Sequence, residues 1–504
     1  MPNSREQKAK LNIIISLLSQ MVVLICGLIV PRVLIKTFGS EAYGATSSIT
    51  QFLAYIALLE GGISGVARAT LYGPLANNDV IKISQIVCQI QKFFRKVGYV
   101  FCVYVIVLAM FFKKISGTEE FTWLWLFLLV LVISISTFAQ YFIGITYSVL
   151  IQASQRTYIT QAISIIATIL NTILILILIK CNLSLIVVKL VSSCVFALKP
   201  IAMYLYVRKR FTLVKCKHSG EDMLKQRWTA LGQHLAYFLH SNTDVAILTV
   251  FVGLKSVAVY AIYSMVVSNI QTVITSFSAG MEALFGDMLA KNEIKKLNQT
   301  FGRYETMISI ITSILLSTAI VLIIPFVSLY TRDVNDVNYI QPVFAVILVV
   351  ASIFYCLRQP YHSLITAAGH FKQTRIAAYG EAILNIVISI LLVHVLGLIG
   401  VAVGTMISVG FRFVFYVVYI NQYILKRSVG LFVKREVVNL ITITLSVVCG
   451  LYVVDSSQIQ SYFTWGINGI IIVVIGSLIT LCANYLFFAD DTRFFVRKTI
   501  VKRR

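Results

Sequence analysis

The stretch MPNSREQKAKLNIIISLLSQMVVLICGLIVPRVLIK, residues 1–36, puts a short basic tail in front of an apolar run, Leu11 to Ile35, that holds no acidic residue. A helix needs ~20 apolar residues to cross the hydrocarbon core of a bilayer, so this run is long enough to span it. No small-residue cleavage site follows, and the helix reads as retained rather than as a removed signal peptide.

Working outward, the same unit recurs. Apolar runs follow at 45–67, 97–112, 123–147, 158–179 and 183–207, then at 229–252, 257–284, 304–330, 340–367, 376–395 and 399–424, with two more at 437–454 and 465–488. About fourteen spans use more than half of the 504 residues and leave only short connectors, so no separate soluble domain has room to fold. Composition agrees: 58% of residues are apolar, 12% are charged and the mean hydropathy is +0.87, whereas soluble domains average roughly 25% charged. The expected fold is an all-α polytopic membrane protein of about fourteen transmembrane helices.

The charges orient the chain. Forty-three Lys and Arg give a net charge of +23, and they fall in alternate gaps between the runs. One set of gaps holds only Lys36, Lys113, Lys114, Lys180, Lys255 and Arg332; Arg32, Lys189, Lys199, Arg358 and Arg412 lie within spans; the other thirty-two occupy the remaining gaps and both tails. Basic loops stay on the cytoplasmic side, so both termini are expected there, and one span more or fewer would scramble the contrast. The same rule explains the basic character without nucleic acid, which is not an expected partner.

Sliding the chain by 214 residues sets Gly39 on Gly253, Ser64 on Ser278, Ala69 on Ala283 and Asn78 on Asn292, so that LANND matches LAKNE at the end of the second helix of each half. The shift covers six helices, an even number, and both copies would therefore face the same way. Parallel repeats related by a pseudo-two-fold axis along the membrane normal are a known transporter plan. The expected organisation is a six-helix bundle over residues 1–207, a basic cytoplasmic linker over 208–228, a second six-helix bundle over 229–424, and two additional helices with a basic cytoplasmic tail over 425–504.

Nine cysteines occur singly, mostly inside apolar runs, and read as small core hydrophobes rather than disulfides or metal ligands. His234, His240, His362 and His394 show no ligand spacing. No phosphate loop, metalloprotease signature or nucleophile elbow is present. Neither enzyme chemistry nor a cofactor or metal is expected.

Charges within spans carry the chemistry, because each costs ~2.5–3.5 kcal/mol at a helix centre and such residues face a cavity or a partner. Arg412 lies about fourteen residues into its span, ~20 Å deep at the helical rise. Arg358 and Lys199 stand beside prolines, in Arg358-Gln359-Pro360 and Lys199-Pro200, and Arg32 follows Pro31. Arg358 and Arg412 are expected in a water-filled cavity. Arg32 and Lys189 are equally well explained by snorkelling to the outer interface. Glu282, Glu305 and Glu381 lie near the inner ends of their spans, where interfacial salt bridges account for them. Asp244, in HSNTDVAIL, and Glu60, in LLEGGISG, are deeper; pairing with a buried Arg and binding a driving proton or cation both fit them, as coupling or ion-pair candidates alongside Glu381.

PRVLIKTFGSEAYGATSSITQFLAYIALLEGGISGVARATLYGPLANND (31–79) and NTDVAILTVFVGLKSVAVYAIYSMV (242–266) resemble the Wzx-type flippases of O-antigen and capsular polysaccharide repeat units, within the multidrug, oligosaccharidyl-lipid and polysaccharide flippase superfamily. The resemblance implies two six-helix bundles around a central cavity in the bacterial inner membrane. It also implies an undecaprenyl-diphosphate-linked oligosaccharide as substrate, moved by alternating access, with membrane lipids, a polysaccharide polymerase and a chain-length regulator as partners. On that footing Arg32, Arg358, Arg412 and Lys199 would bind the anionic headgroup. Drug exporters of the superfamily would be expected to carry a carboxylate in the first helix, where this chain has Arg32. The peptidoglycan-precursor flippase is a further alternative with a similar cationic cavity. A membrane glycosyltransferase or polymerase would need a large external loop, and the longest outside gaps have about ten residues.

Overall fold

The computed structural model describes residues 5–60, 63–214, 242–455 and 458–489, and among them the regular structure is helical throughout. Most of the expected 208–228 linker, the start of the seventh apolar run, His234, His240, the Gly61-Gly62 pair and the basic C-terminal tail lie outside the described residues.

The chain divides into two compact units, the first reaching Ala258 and the second starting at Val259. The first holds α1 (Arg5–Phe38), α2 (Ser40–Ala54) leading into a 3₁₀ segment (Tyr55–Glu60), α3 (Ile63–Ala76) and α4 (Val80–Ser116). It continues with α5 (Trp123–Ala139), a π-helical turn (Gln140–Gly144), α6 (Ile145–Ala153), α7 (Thr157–Lys180), α8 (Leu185–Arg210) and α9 (Asn242–Phe251). Helix α10 (Leu254–Thr275) crosses the division. The second unit then has α11 (Ser278–Ala290), α12 (Ile294–Tyr330), α13 (Pro342–Leu357), α14 (Gln359–Ala368), α15 (Phe371–Leu396), α16 (Leu398–Tyr423), α17 (Val429–Val453) and α18 (Tyr462–Phe487).

Among the described residues twelve helical spans are long and apolar enough to cross a bilayer, and thirteen if the bent pair Ser40–Glu60 and Ile63–Ala76, angled at 48°, is counted as one more. Helix α9 is the described part of the seventh run. Each apolar run thus lands mainly on helix over its described residues. Several helices extend past their runs: α4 starts at Val80, well ahead of the apolar stretch at 97, because the Asp79 side chain caps it by accepting from the Lys82 backbone N–H at 3.0 Å. Hydropathy marks the buried-in-lipid part of a helix; its caps mark the ends.

The surfaces are those of an integral, multi-pass membrane protein. Only 6% of the apolar window of α1 is buried, and Ile13, Leu17, Met21 and Ile25 are exposed on it. Such surface is untenable in water and at home in lipid. The first unit has an aromatic core in which the fully buried Phe101 meets Phe138 at 5.0 Å and Tyr141 at 5.9 Å. In the second unit α12 packs against α13, α17 and α18, while α15 and α16 pack extensively along each other. Gly404 permits that approach, since a Cβ there would lie 2.9 Å from the backbone nitrogen of Ser389.

Candidate functional site

The closeness of α15 and α16 sets Glu381 against Arg412. Arg358 joins them from the junction of α13 and α14, where Pro360 in the first turn of α14 supplies no backbone N–H and the helix restarts. Arg358 Nη1 donates to Glu381 Oε1 at 2.5 Å, and Arg412 Nη1 donates to Oε2 of the same carboxylate. Beyond Arg412, the Tyr416 hydroxyl one turn along accepts from Nε at 2.9 Å and from Nη2 at 2.7 Å. The Tyr355 ring lies 5.1 Å from the Arg358 guanidinium carbon.

The Glu381 side chain is 0% exposed, that of Arg358 5% and that of Arg412 11%. Two guanidiniums share one carboxylate, so the cluster carries one net positive charge. Arg358 Nε and His362 Nδ1 are buried and have no hydrogen-bond partner among the described residues. The fold supplies a partner that the sequence did not indicate: an acid 23 and 31 residues away in the chain binds both Arg358 and Arg412. Glu381, an ion-pair candidate in the sequence, is paired and fully buried.

A second buried knot gives Glu305 the salt bridges that its place in the sequence suggested. Its carboxylate accepts from Arg427 at 3.0 Å, and also from Arg435 and the Tyr361 hydroxyl. The loop-counted Arg435 is buried in α17, where it also donates to the Gly302 carbonyl at 3.3 Å. Arg427 further donates to Asn421 Oδ1 at 2.6 Å. The sequence places both arginines in the gap between the runs ending at 424 and starting at 437, and charge alternation says nothing of burial there.

The first unit holds a cavity of about 590 Å³ with a mixed lining, in which Glu60, Arg68, Gln140, Tyr141, Gln152 and Lys199 stand among aliphatic residues such as Leu53, Ile133 and Val149. The Tyr141 hydroxyl donates to Glu60 at 2.9 Å, Arg68 donates to Gln152 at 3.0 Å, and Lys199 donates to Ser164 at 3.0 Å. Two of the sequence-derived candidates, Glu60 and Lys199, therefore share one wall system. Arg32 is half-buried on α1. Asp244 is buried on α9, whose first residue, Asn242, accepts from Gln51 and, through its carbonyl, from the Tyr55 hydroxyl at 3.1 Å. Tyr416, Thr137 and Gln140 escape a reading based on charge; the polar run Ser136-Thr137 to Gln140 inside an apolar span is the signal that marks the last two.

Residues 230–391 match the MatE family model. No curated protein matches the chain in sequence. Among solved structures, the lipid II flippase MurJ in an inward closed conformation aligns with a TM-score of 0.72 at 14% identity, covering 95% of this chain and 99% of that one. An inward-facing multidrug resistance MATE family transporter of the MOP superfamily aligns with a TM-score of 0.62 at 14% identity over 81% and 96% of the two chains. The Vibrio cholerae MATE transporter VcmN, in a mutant form, gives 0.54 at 15% identity over 83% and 98%. The chain thus combines a MatE match over residues 230–391 with the fold shared by the MurJ flippase and the MATE transporters.

Proposed function

We propose that this protein is a flippase that moves undecaprenyl-diphosphate-linked oligosaccharide repeat units from the cytoplasmic to the outer leaflet of the bacterial inner membrane, by alternating access, for O-antigen, capsule or exopolysaccharide synthesis. The observation that carries the reading is the buried excess of positive charge: Arg358 and Arg412 converge on a single carboxylate. A pair of convergent guanidiniums is suited to bind a diphosphate through charge-assisted, bidentate hydrogen bonds. Arg32 and Lys199 are further headgroup contacts in this reading, and Glu60 and Asp244 are candidates for coupling to a proton or cation. Membrane lipids, a polysaccharide polymerase and a chain-length regulator are the partners it calls for, and both termini face the cytoplasm.

A lipid II flippase is the second reading, favoured by the likeness to MurJ over nearly the whole chain. Export of organic cations accords less well with α1, which has no carboxylate in its apolar run. Complementation separates the three. Expression in a strain lacking its polysaccharide flippase should restore surface polysaccharide; rescue of a strain depleted of its lipid II flippase, or of drug resistance alone, would overturn the assignment.

A further inference from the structure

Three irregularities of the first unit meet at one place. The 3₁₀ segment Tyr55–Glu60 contributes Ile56, Ala57 and Glu60 to the wall of the 590 Å³ cavity, and the π-helical turn Gln140–Gly144 contributes Gln140 and Tyr141. Helix α8 contributes Phe196 and Lys199, just before Pro200. Proline has no N–H, so the Phe196 carbonyl four residues earlier lacks its helical donor. Mid-helix 3₁₀ segments and π-turns occur frequently at functional sites. In a membrane bundle, irregular backbone is tolerated where it lines a polar cavity.

The side chains say what such a cavity would hold. Its charged groups each hydrogen-bond a wall residue, Glu60 with Tyr141, Arg68 with Gln152 and Lys199 with Ser164, and two cations against one carboxylate suit a place beside an anionic headgroup. Ser64, Thr137 and Gln140 also line it and make no side-chain hydrogen bond to another described residue. Two hydroxyls and a carboxamide both donate and accept. The complement of these three groups is a part of the ligand dense in groups that also do both, which describes a sugar. A lipid tail would leave these groups unpaired, and a lone ion would leave most of the volume empty. The volume falls within the ~300–1,000 Å³ of small-molecule sites.

We infer that the cavity bounded by Tyr55–Glu60, Gln140–Gly144 and the Pro200 region of α8 is a carbohydrate subsite, with Thr137 and Gln140 reading sugar hydroxyls. The inference rests on the flippase reading for its ligand and adds the part of the molecule that selects the glycan.

The test uses the full-length protein in nanodiscs with two probes: undecaprenyl-diphosphate-linked oligosaccharide extracted from a strain deleted for this gene, and undecaprenyl diphosphate, which has no sugar. Wild-type protein should bind the sugar-bearing lipid about tenfold or more tightly than the bare one, as a few neutral hydrogen bonds allow. The variants Thr137→Val and Gln140→Ala should each lose a large part of that preference while binding the bare lipid as wild type does. Gly144→Ala is the second perturbation, since its Cβ would press on the Gln140 amide without altering the cavity's chemistry. Equal weakening of both lipids in these variants, or an unchanged preference, overturns the subsite. Failure of wild-type protein to bind either lipid overturns the flippase reading instead.

Discussion

Asn78 and Asn292, 214 residues apart, hold the same left-handed backbone conformation, with φ of 52° and 54°. Each ends a helix in the same way: Asp79 N–H donates to the Pro74 carbonyl at 3.0 Å, and Glu293 N–H donates to the Met288 carbonyl at 3.0 Å. This is the six-to-one closure of a helix C-terminus around a left-handed residue. The helices that follow, α4 and α12, are both 37 residues long and start at matching positions, Val80 and Ile294. The repeat seen in LANND and LAKNE is therefore repeated in backbone geometry.

Replacing either asparagine by Val should destabilise the protein by ~1–2 kcal/mol, since a β-branched side chain is strained at positive φ. Asn78→Gly and Asn292→Gly should be tolerated. Thermal unfolding of detergent-purified variants checks this, and a Val variant as stable as the Gly variant would contradict it.

Glu381→Ala should be the most damaging change in the second unit's cluster, because it leaves both Arg358 and Arg412 buried without their anion. Breaking a buried pair typically costs ~3–5 kcal/mol. Arg412→Ala retains the Arg358–Glu381 contact and should cost less, while lowering affinity for undecaprenyl diphosphate. Paired melting and binding measurements separate the two effects.

Tyr361→Phe removes one donor from the buried Glu305 carboxylate and keeps the ring. A hydrogen bond to a charged group is worth ~1.5–3 kcal/mol, so a loss of that order is expected in chemical or thermal unfolding. A neutral result would mean that Arg427 and Arg435 alone satisfy Glu305.

Gly44 and Gly27 provide a paired test of close packing. A Cβ on Gly44 would lie 1.9 Å from the Leu254 carbonyl oxygen, whereas one on Gly27 would meet nothing within 4 Å. Gly44→Ala should destabilise by ~1–3 kcal/mol or more because backbone has to move. Gly27→Ala should be neutral or stabilising by up to ~1 kcal/mol, as expected for Ala in a helix. Melting temperatures of the two variants should move in opposite directions or diverge clearly.

The proposed orientation is open to labelling. In a cysteine-free background, single cysteines in place of Lys209 or Lys295 should react with an impermeant maleimide only after the membrane is opened. Cysteines in place of Lys114 or Arg332 should react in intact cells. The reverse pattern would invert the proposed topology.

The helices were legible because lipid imposes a length and an apolarity that any stretch of chain must meet by itself; α1, α7 and α18 can be read directly from composition. The bend after Glu60 and the π-turn at Gln140–Gly144 were less legible, since they depend on which neighbour relieves the backbone. Among the candidate residues, the type was readable and the partner was not. Arg412 is conspicuous inside an apolar run, but nothing in its own segment indicates that Glu381 binds it. Arg435 was the reverse case: its place beside a loop made it look solvated.

Sequence by itself determined the helical class, the alternation of charge between successive gaps, and the recurrence that sets Gly39 on Gly253 and Asn78 on Asn292, because these depend on local apolarity, on charge and on turn chemistry. Tertiary structure alone decided which buried charges pair with one another and which hydroxyls and amides line the cavity of the first unit. Ion pairing and cavity formation act between segments distant in the chain, over a few ångströms that only packing brings about.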